Sequence, residues 1–135
     1  MSRRKNIKSI IMASVDTQRR NNPKTAKAKG RRLQNVVVKA LLFLLPGVQP
    51  DDIQSRSMGS NGEDIILSPY ARSIFPYSIE CKNQEKLNLW KAWEQTQSNC
   101  EEHEPLLIVG KNNTKPLAVL DLDHFFKLEA FYERD

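Results

Sequence analysis

Two stretches decide the fold of this chain: residues 62–68, GEDIILS, and residues 75–82, FPYSIECK, which are joined by a short polar and aromatic turn. Their apolar content is typical of β-strands. Because side chains alternate between the two faces of a strand, Glu80 and Lys82 point to one face and Cys81 to the other. If the two strands pair as a hairpin-like unit, Asp64 approaches Glu80. The sequence therefore predicts two strands that gather two acids and a base.

This combination of side chains predicts metal-dependent phosphodiester chemistry. Two neighbouring carboxylates, Asp64 and Glu80, are suitable ligands for a hard divalent cation, and Lys82 would lie beside that cation. The alternative is an exposed cross-strand ion pair between Glu80 and Lys82, which contributes less than about 1 kcal/mol to stability. An ion pair alone does not account for Asp64.

The arrangement of Asp64 followed by Glu80-Cys81-Lys82 resembles the PD-(D/E)XK nuclease superfamily, in particular small phage-type enzymes related to Holliday-junction resolvases. The resemblance spans roughly residues 29–126. It implies an α/β, restriction-endonuclease-like core, in which helices flank a mixed central sheet. It also implies that Asp64, Glu80 and the main-chain carbonyl of Cys81 bind Mg²⁺ or Mn²⁺, and that DNA is cut to 3′-hydroxyl and 5′-phosphate ends.

The resemblance also draws attention to two glutamines. Many relatives have a glutamate on the first helix near the metal, but this helix carries no acid, so either Gln34 takes an equivalent place or the site consists of Asp64, Glu80 and water. Members of the superfamily often have a Gln facing the active site on the helix after the second strand, where Gln95 lies. An exposed position on the helix surface is the alternative for both glutamines.

The loop before Asp64 contains further candidates. Asp51 and Asp52 follow Pro50, as in the superfamily's name, but Pro-Asp is common in turns, so we place these acids second to Asp64 as metal ligands. Arg56 and Ser57 begin a flexible polar loop whose amides and side chains could meet a DNA phosphate. An ordinary hairpin connection is the alternative.

The N-terminal segment is strongly basic. Residues 1–32 contain eleven Lys and Arg residues and one acid, about +10, which leaves about −5 for the rest of a chain whose net charge is +5. We predict a flexible basic arm over residues 1–29 and a nuclease domain over residues 30–135, with DNA contacts from Lys29, Arg31 and Arg32. A solubilising tail is the alternative, and Met12 is a second possible start.

Composition excludes several classes of protein. A chain of 135 residues suits one domain, and no apolar run approaches the roughly 20 residues that span a bilayer. Two distant cysteines, Cys81 and Cys100, form neither a zinc motif nor a disulfide framework. We expect no membrane association, no export and a cytoplasmic location, in the host cell if the chain is phage-encoded.

Four further elements follow from periodicity and turn residues. Apolar residues from Leu33 to Leu44 predict a helix that ends before Pro46-Gly47. A second helix is predicted from a cap at Asn83 to about Glu101, with its tryptophans, Trp90 and Trp93, in the core. Two apolar runs around residues 111–115 predict a hairpin, and a short terminal helix follows Asp123.

Two functions remain open from the sequence. The first is a structure-selective DNA endonuclease that acts on branched DNA as a homodimer, since a four-way junction has two-fold symmetry. The second is a non-catalytic DNA-binding protein that keeps the nuclease fold as a scaffold. The sequence does not separate junction resolution from general cutting of duplex or single-stranded DNA.

Overall fold

The computed structural model describes residues 3–20, 24–57 and 59–131, and it has an α/β architecture. Five helices, one 3₁₀ turn and five strands lie in these residues. In chain order they are α1 (Arg3–Arg20), α2 (Ala26–Leu44), the 3₁₀ turn (Pro50–Asp52), β1 (Ile53–Ser55), β2 (Ile65–Leu67), α3 (Pro69–Ile74), β3 (Tyr77–Asn83), α4 (Leu89–Asn99), β4 (Glu104–Gly110), β5 (Leu117–Val119) and α5 (Leu122–Phe131).

The strands form a mixed sheet of three and a smaller antiparallel pair. β3 pairs with β4 in parallel, and β4 pairs with β5 antiparallel, so the order is β3-β4-β5. β1 and β2 form the antiparallel pair. The predicted α/β class and mixed sheet are confirmed, and so is the hairpin around residues 111–115, where Asn113 takes a left-handed conformation (φ 57°).

The small pair of strands meets the main sheet at Asp64, the residue before β2. Its N–H donates to the carbonyl of Ile79 in β3 over 2.9 Å, and its carbonyl accepts from Arg56 N over 2.8 Å. The predicted strands around Asp64 and Glu80 therefore meet at the start of β2. The ladder partner of β2 is β1 and not β3.

Helix α2 supplies the largest part of the core on one face of the sheet. Leu33, Val36 and Leu41 are buried on this helix, at the spacing that the sequence predicted. Leu33 and Leu41 pack with residues such as Ile79 of β3 and Ile53 of β1. Full burial of one such side chain contributes about 1.5–3 kcal/mol.

Helix α4 covers the other face of the sheet and begins later than predicted. Asn83 is the last residue of β3, where its side-chain amide donates to the carbonyl of Lys29 over 2.8 Å. The N-cap is Asn88, whose Oδ1 accepts from Lys91 N. The prediction of a cap at Asn83 is therefore wrong, because a tertiary contact holds this residue in the strand.

The prediction that both tryptophans lie in the core is wrong for Trp90, which is 76% exposed, while Trp93 is half-buried. The small residues Ala92 and Thr96 occupy the buried side of α4 instead. Residues four apart lie on one side of a helix, and small side chains there let the helix approach the sheet closely. Trp90 lies off that side and projects into solvent.

Most of the segment that the sequence predicts as a flexible arm lies in helices. α1 contacts α2, Val15 is buried, and α2 begins at Ala26, before the predicted boundary at residue 30. Apolar residues at positions 7, 11 and 15 recur every four residues and give α1 an apolar stripe. Among the described residues, no helix has both the length and the apolar character needed to cross a membrane.

Candidate functional site

The candidate site forms where the small strand pair touches β3. Asp64 is held there by its main chain, and its carboxylate Oδ2 accepts from the N–H of Cys81 over 2.7 Å. A side-chain oxygen thus takes the place that a neighbouring strand's carbonyl would occupy at this edge of β3. This bond fixes the Asp64 carboxylate one residue along the strand from Glu80.

The Glu80 side chain lies beside Asp64 in a buried position. Glu80 is 2% exposed, its Oε1 accepts from Asn99 Nδ2 over 2.7 Å, and its carboxyl group lies close enough to the Asp64 carboxyl for the two to interact electrostatically. Burial, together with the Asp64 carboxylate, raises the Glu80 pKa to about 7, against the opposing effects of Asn99 and Lys82. The structure therefore brings the two predicted acids together.

The main chain at Cys81 faces the same edge of the sheet. In a strand the N–H and C=O of one residue point to the same edge. The carbonyl of Ile79 and the N–H of Cys81 both bond to Asp64, whereas the N–H of Gln84 bonds to Gly110 at the end of β4. The Cys81 carbonyl therefore points toward Asp64, in agreement with its predicted place in the site.

The thiol of Cys81 has a different environment from its carbonyl. It lies in the apolar core on the α2 side of the sheet, and burial, followed by the charges of Asp64 and Glu80, raises its pKa well above the usual value. A neutral thiol in this place is unsuited to binding a metal or attacking a substrate. The main-chain oxygen is the only metal ligand that Cys81 offers.

Lys82 and Gln95 line one cavity of about 200 Å³ between the end of β3 and α4. The register of α4 on β3 explains this pairing. Two residues along a strand span about 6.6 Å, and four residues along a helix span nearly the same length, about 6 Å. Because α4 runs antiparallel to β3 and Asn99 lies opposite Glu80, Gln95 lies opposite Lys82. Gln95 thus lines the same cavity as Lys82 but is exposed, as the alternative of a residue on the helix surface predicted.

Asn99 is a residue of the site that the sequence did not predict. This residue is the last of α4 and holds the Glu80 carboxylate, and its carbonyl lies 3.5 Å from Ser78 Oγ. The spacing from Gln95 to Asn99 is a signal that could have identified it, because residues four apart on a helix face the same neighbour.

A partly buried ion pair that the sequence did not predict supports Asp64. The Glu63 carboxylate pairs with the Arg72 guanidinium of α3, and Arg72 Nη1 also donates to the carbonyl of Tyr77 at the start of β3 over 2.8 Å. Arg72 thus ties the residue before Asp64 to the strand that carries Glu80. No local spacing signals this pair, since β2 and the first residues of α3 separate the partners.

The predicted phosphate-binding loop is only partly near the site. Arg56 Nε donates to the carbonyl of Glu63 over 2.6 Å. The guanidinium of Arg56 lies against Gly62, and a Cβ added to Gly62 would be 3.4 Å from Arg56 Cζ. Arg56 lines a polar cavity of about 130 Å³ that Asn99 also lines. Ser57 is exposed in a turn, where its carbonyl accepts from Ser60 N.

The remaining predicted residues lie on α2. Gln34 is 3% exposed on α2, so the alternative of an exposed helix residue is wrong. Lys29 is joined through its carbonyl to Asn83, which places the first turns of α2, with Arg31 exposed and Arg32 half-buried, at the C-terminal end of β3.

The second-ranked acids, Asp51 and Asp52, have different surroundings. Asp51 is exposed, and the Asp52 carboxylate accepts from Ser68 Oγ over 2.6 Å and from Gln49 N over 2.8 Å. The Ser68 bond, followed by the Gln49 bond, lowers the Asp52 pKa. Asp52 therefore joins the 3₁₀ turn to the start of α3.

The described part of the chain contains no group of three or more His, Cys, Asp or Glu side chains placed to hold a metal. The candidate donor set is therefore smaller, with two carboxylates and one main-chain carbonyl. These oxygen donors suit Mg²⁺ or Mn²⁺, which complete their octahedral shells with water.

Comparison with models of known protein families found no match, and neither curated proteins nor solved structures include one with significant similarity to this chain.

Proposed function

We propose that this protein is a metal-dependent DNA endonuclease. The observation that carries the proposal is the proximity of the Asp64 and Glu80 carboxyls, at the edge of β3 where Asp64 accepts from the Cys81 N–H and which the Cys81 carbonyl also faces. Lys82 follows on the same strand face as Glu80. This set provides three oxygen donors and one cation, as hydrolysis of a phosphodiester requires.

The two acids fit a divalent cation for a physical reason. A buried carboxyl group next to a second carboxyl ionises only at a cost in free energy, and here Glu80 avoids that cost by retaining a proton up to about pH 7. A cation of charge +2 would replace that proton. Asp64, Glu80 and the Cys81 carbonyl would hold Mg²⁺ or Mn²⁺, which supplies Lewis-acid activation of water and of the phosphate.

The neighbouring side chains have separate tasks in this proposal. The Lys82 ammonium donates to a phosphate oxygen and offsets the negative charge that grows as the phosphorus is attacked. Gln95, which shares its cavity, orients the substrate or Lys82 by hydrogen bonding. Asn99 keeps the Glu80 carboxylate in place, and Arg72 does the same for Asp64 through Glu63.

We also propose that the fold is restriction-endonuclease-like, as the resemblance of residues 64–82 implies. Three features support this proposal. A mixed sheet has α2 on one face and α4 on the other, the first strand pair presents Asp64, and β3 carries both Glu80 and Lys82.

The DNA would lie across the basic end of the sheet. The first turns of α2, with Lys29 and Arg31, are at the C-terminal end of β3, as is the Lys82 cavity, which Lys91 also lines. Phosphate contacts from such residues give affinity that depends on salt and carries no base specificity. Branched DNA is the substrate class that the family resemblance suggests.

A non-catalytic DNA-binding protein is the second candidate. The observation that favours it is that protein donors already bond both acids, Asn99 to Glu80 and the Cys81 N–H to Asp64. Such bonds are also what a purely structural polar network would contain.

Cleavage of end-labelled linear duplex and four-way junction DNA distinguishes the two candidates. Wild type would be compared with Glu80→Gln and Lys82→Met in Mg²⁺, Mn²⁺ or chelator, and with Gln97→Ala, an exposed site on α4, as a matched control. The nuclease predicts metal-dependent cutting that falls at least 100-fold in the first two variants, with DNA affinity kept within about threefold. Binding without cutting in all four proteins would favour the scaffold.

A further inference from the structure

Two neighbouring cavities lie at the C-terminal ends of β3 and β4. The first, of about 200 Å³, is the one that Lys82 and Gln95 line, and the second, of about 170 Å³, lies between the β3–α4 loop and the β4–β5 hairpin. Gln84 and Leu87 line both cavities. Gln84 N donates to the carbonyl of Gly110 over 3.0 Å, so the loop that starts there is held against the end of β4. We call the two cavities together the lysine groove.

The charge of the lysine groove is positive along its whole length. Two lysines line each cavity: Lys82 and Lys91 the first, and Lys111 and Lys115 the second. Glu85 is the only acid among the described residues that line either cavity. By comparison, the polar cavity of about 130 Å³ on the other side of the site is lined by two glutamates as well as two arginines. An excess of cations along a groove is complementary to a chain of phosphates.

The inner surface of the lysine groove is partly apolar. Four apolar side chains line it: Leu87, Ala92, Val109 and Leu117. The bases of a duplex are paired and stacked, so a duplex presents phosphates and the edges of its bases to a protein, and not the faces of its bases. Unpaired bases expose their faces, which can pack on apolar side chains while cations bind the phosphates. The combination of lysines and apolar side chains therefore suits a single strand better than a duplex.

We propose that the lysine groove binds an unpaired strand of DNA that leaves the metal site at Lys82, so that the preferred substrate carries a single-stranded arm next to the cut. The choice of substrate rests on the proposed nuclease function, whereas binding of the strand does not. From β3 to β5 the groove crosses two strand spacings, about 10 Å in total, which is enough for a short run of nucleotides.

Amide side chains supply the contacts to the edges of the bases. Gln84, Asn88 and Gln95 all line the first cavity. The Asn88 Oδ1 accepts from Lys91 N as the cap of α4, so this amide is held at the start of the helix. An amide both donates and accepts hydrogen bonds, and it can therefore pair with the edge of any base. We expect the groove to show little preference among base sequences.

Fluorescence anisotropy in chelator, which prevents metal-dependent cutting, tests the proposal on the full chain. Two labelled DNAs would be compared: a duplex with a short oligo-dT tail, and the same duplex extended by an equal number of base pairs. The extended duplex carries more phosphates than the tailed one, so electrostatic attraction alone favours it. We expect wild type to bind the tailed duplex at least tenfold more tightly than the extended duplex. Equal affinities, or tighter binding of the extended duplex, would overturn the proposal.

Variants of the second cavity test the place of binding. Lys111→Ala/Lys115→Ala should reduce the preference for the tailed duplex at least fivefold. Leu87→Ser should reduce it at least threefold without changing its salt dependence, because no charge is lost. The matched control, Lys39→Ala/Lys127→Ala, removes the same charge from exposed positions outside the groove and should leave the preference unchanged. A lysine variant of the groove that weakens both DNAs alike would overturn the proposal.

Circular dichroism of each variant checks that the protein stays folded. The proposed nuclease function and the lysine groove fail separately in these experiments. Metal-dependent cutting by a wild type that has no preference for the tail would overturn the groove and keep the nuclease. A preference for the tail, lost in the groove variants of a protein that does not cut DNA, would keep the groove as a site for single strands and overturn the nuclease.

Discussion

The side-chain amide of Asn99 donates to Glu80 Oε1 over 2.7 Å and joins the last residue of α4 to a buried acid at the centre of β3. The same helix places Gln95 beside Lys82, one turn earlier. A single helix therefore carries one residue that bonds Glu80 and another that lines a cavity with Lys82.

We expect Asn99→Ala to destabilise the protein and to impair the site. The change leaves the buried Glu80 carboxyl without one donor, which costs about 1–3 kcal/mol in unfolding free energy. Urea denaturation measures this cost, and Gln97→Ala, at an exposed position of the same helix, is the control. Equal stability of the two variants would contradict a supporting role for Asn99.

Stability without metal should depend on pH through Glu80. A carboxyl whose pKa rises on folding binds its proton more tightly in the folded state, so unfolding free energy falls as pH increases from the ordinary value of 4.5 to about 7. The slope is on the order of 1 kcal/mol per pH unit. Urea denaturation in chelator at pH 5.5 and 7.5 should reveal this slope in wild type, and Glu80→Gln should reduce it. An unchanged slope in the variant would assign the titration to another group.

The Glu63–Arg72 pair should act as one unit that positions Asp64. Either Glu63→Gln or Arg72→Met leaves one half-desolvated partner behind and should cost about 2–4 kcal/mol. The double variant should cost clearly less than the sum of the two, because it leaves no charge unpaired. Mn²⁺ affinity should fall with both single changes. Additive costs in denaturation would show that the two side chains act independently.

Basic residues at the start of α2 should contribute to DNA affinity. The double variant Lys29→Ala/Arg31→Ala should weaken binding to duplex DNA and reduce the slope of log affinity against log salt by about 2. Lys39→Ala, an exposed lysine farther along the same helix, is the control and should change neither quantity. Fluorescence anisotropy over a range of salt concentrations provides both quantities. The same slope in the double variant and wild type would exclude α2 from the DNA contact surface.

Local patterns were sufficient to predict much of the candidate site. The period of two along a strand placed Glu80 and Lys82 on one face, and the apolar period of α2 predicted its buried side. The approach of Asp64 to Glu80 followed from assuming that their strands meet. Each of these predictions concerns residues whose relation is set by chain geometry over a few positions.

Tertiary contacts determined what the sequence could not predict. Asn83 and Asn88 both have the chemistry of a helix cap, and only the bond from Asn83 to Lys29 decides between them. Arg72 and Glu63 meet because the chain passes through β2 and turns back into α3, and no spacing rule predicts that path. The exposure of Trp90 depends on which side of α4 packs against the sheet, and that side carries small residues.

Manganese binding without DNA tests the central claim most directly. Electron paramagnetic resonance of Mn²⁺ titrated into wild type should reveal saturable binding that Asp64→Asn and Glu80→Gln abolish, while Glu85→Gln, an exposed acid just beyond β3, leaves it unchanged. Binding that is equal in all four proteins, or absent from wild type, would contradict a metal site built on Asp64 and Glu80.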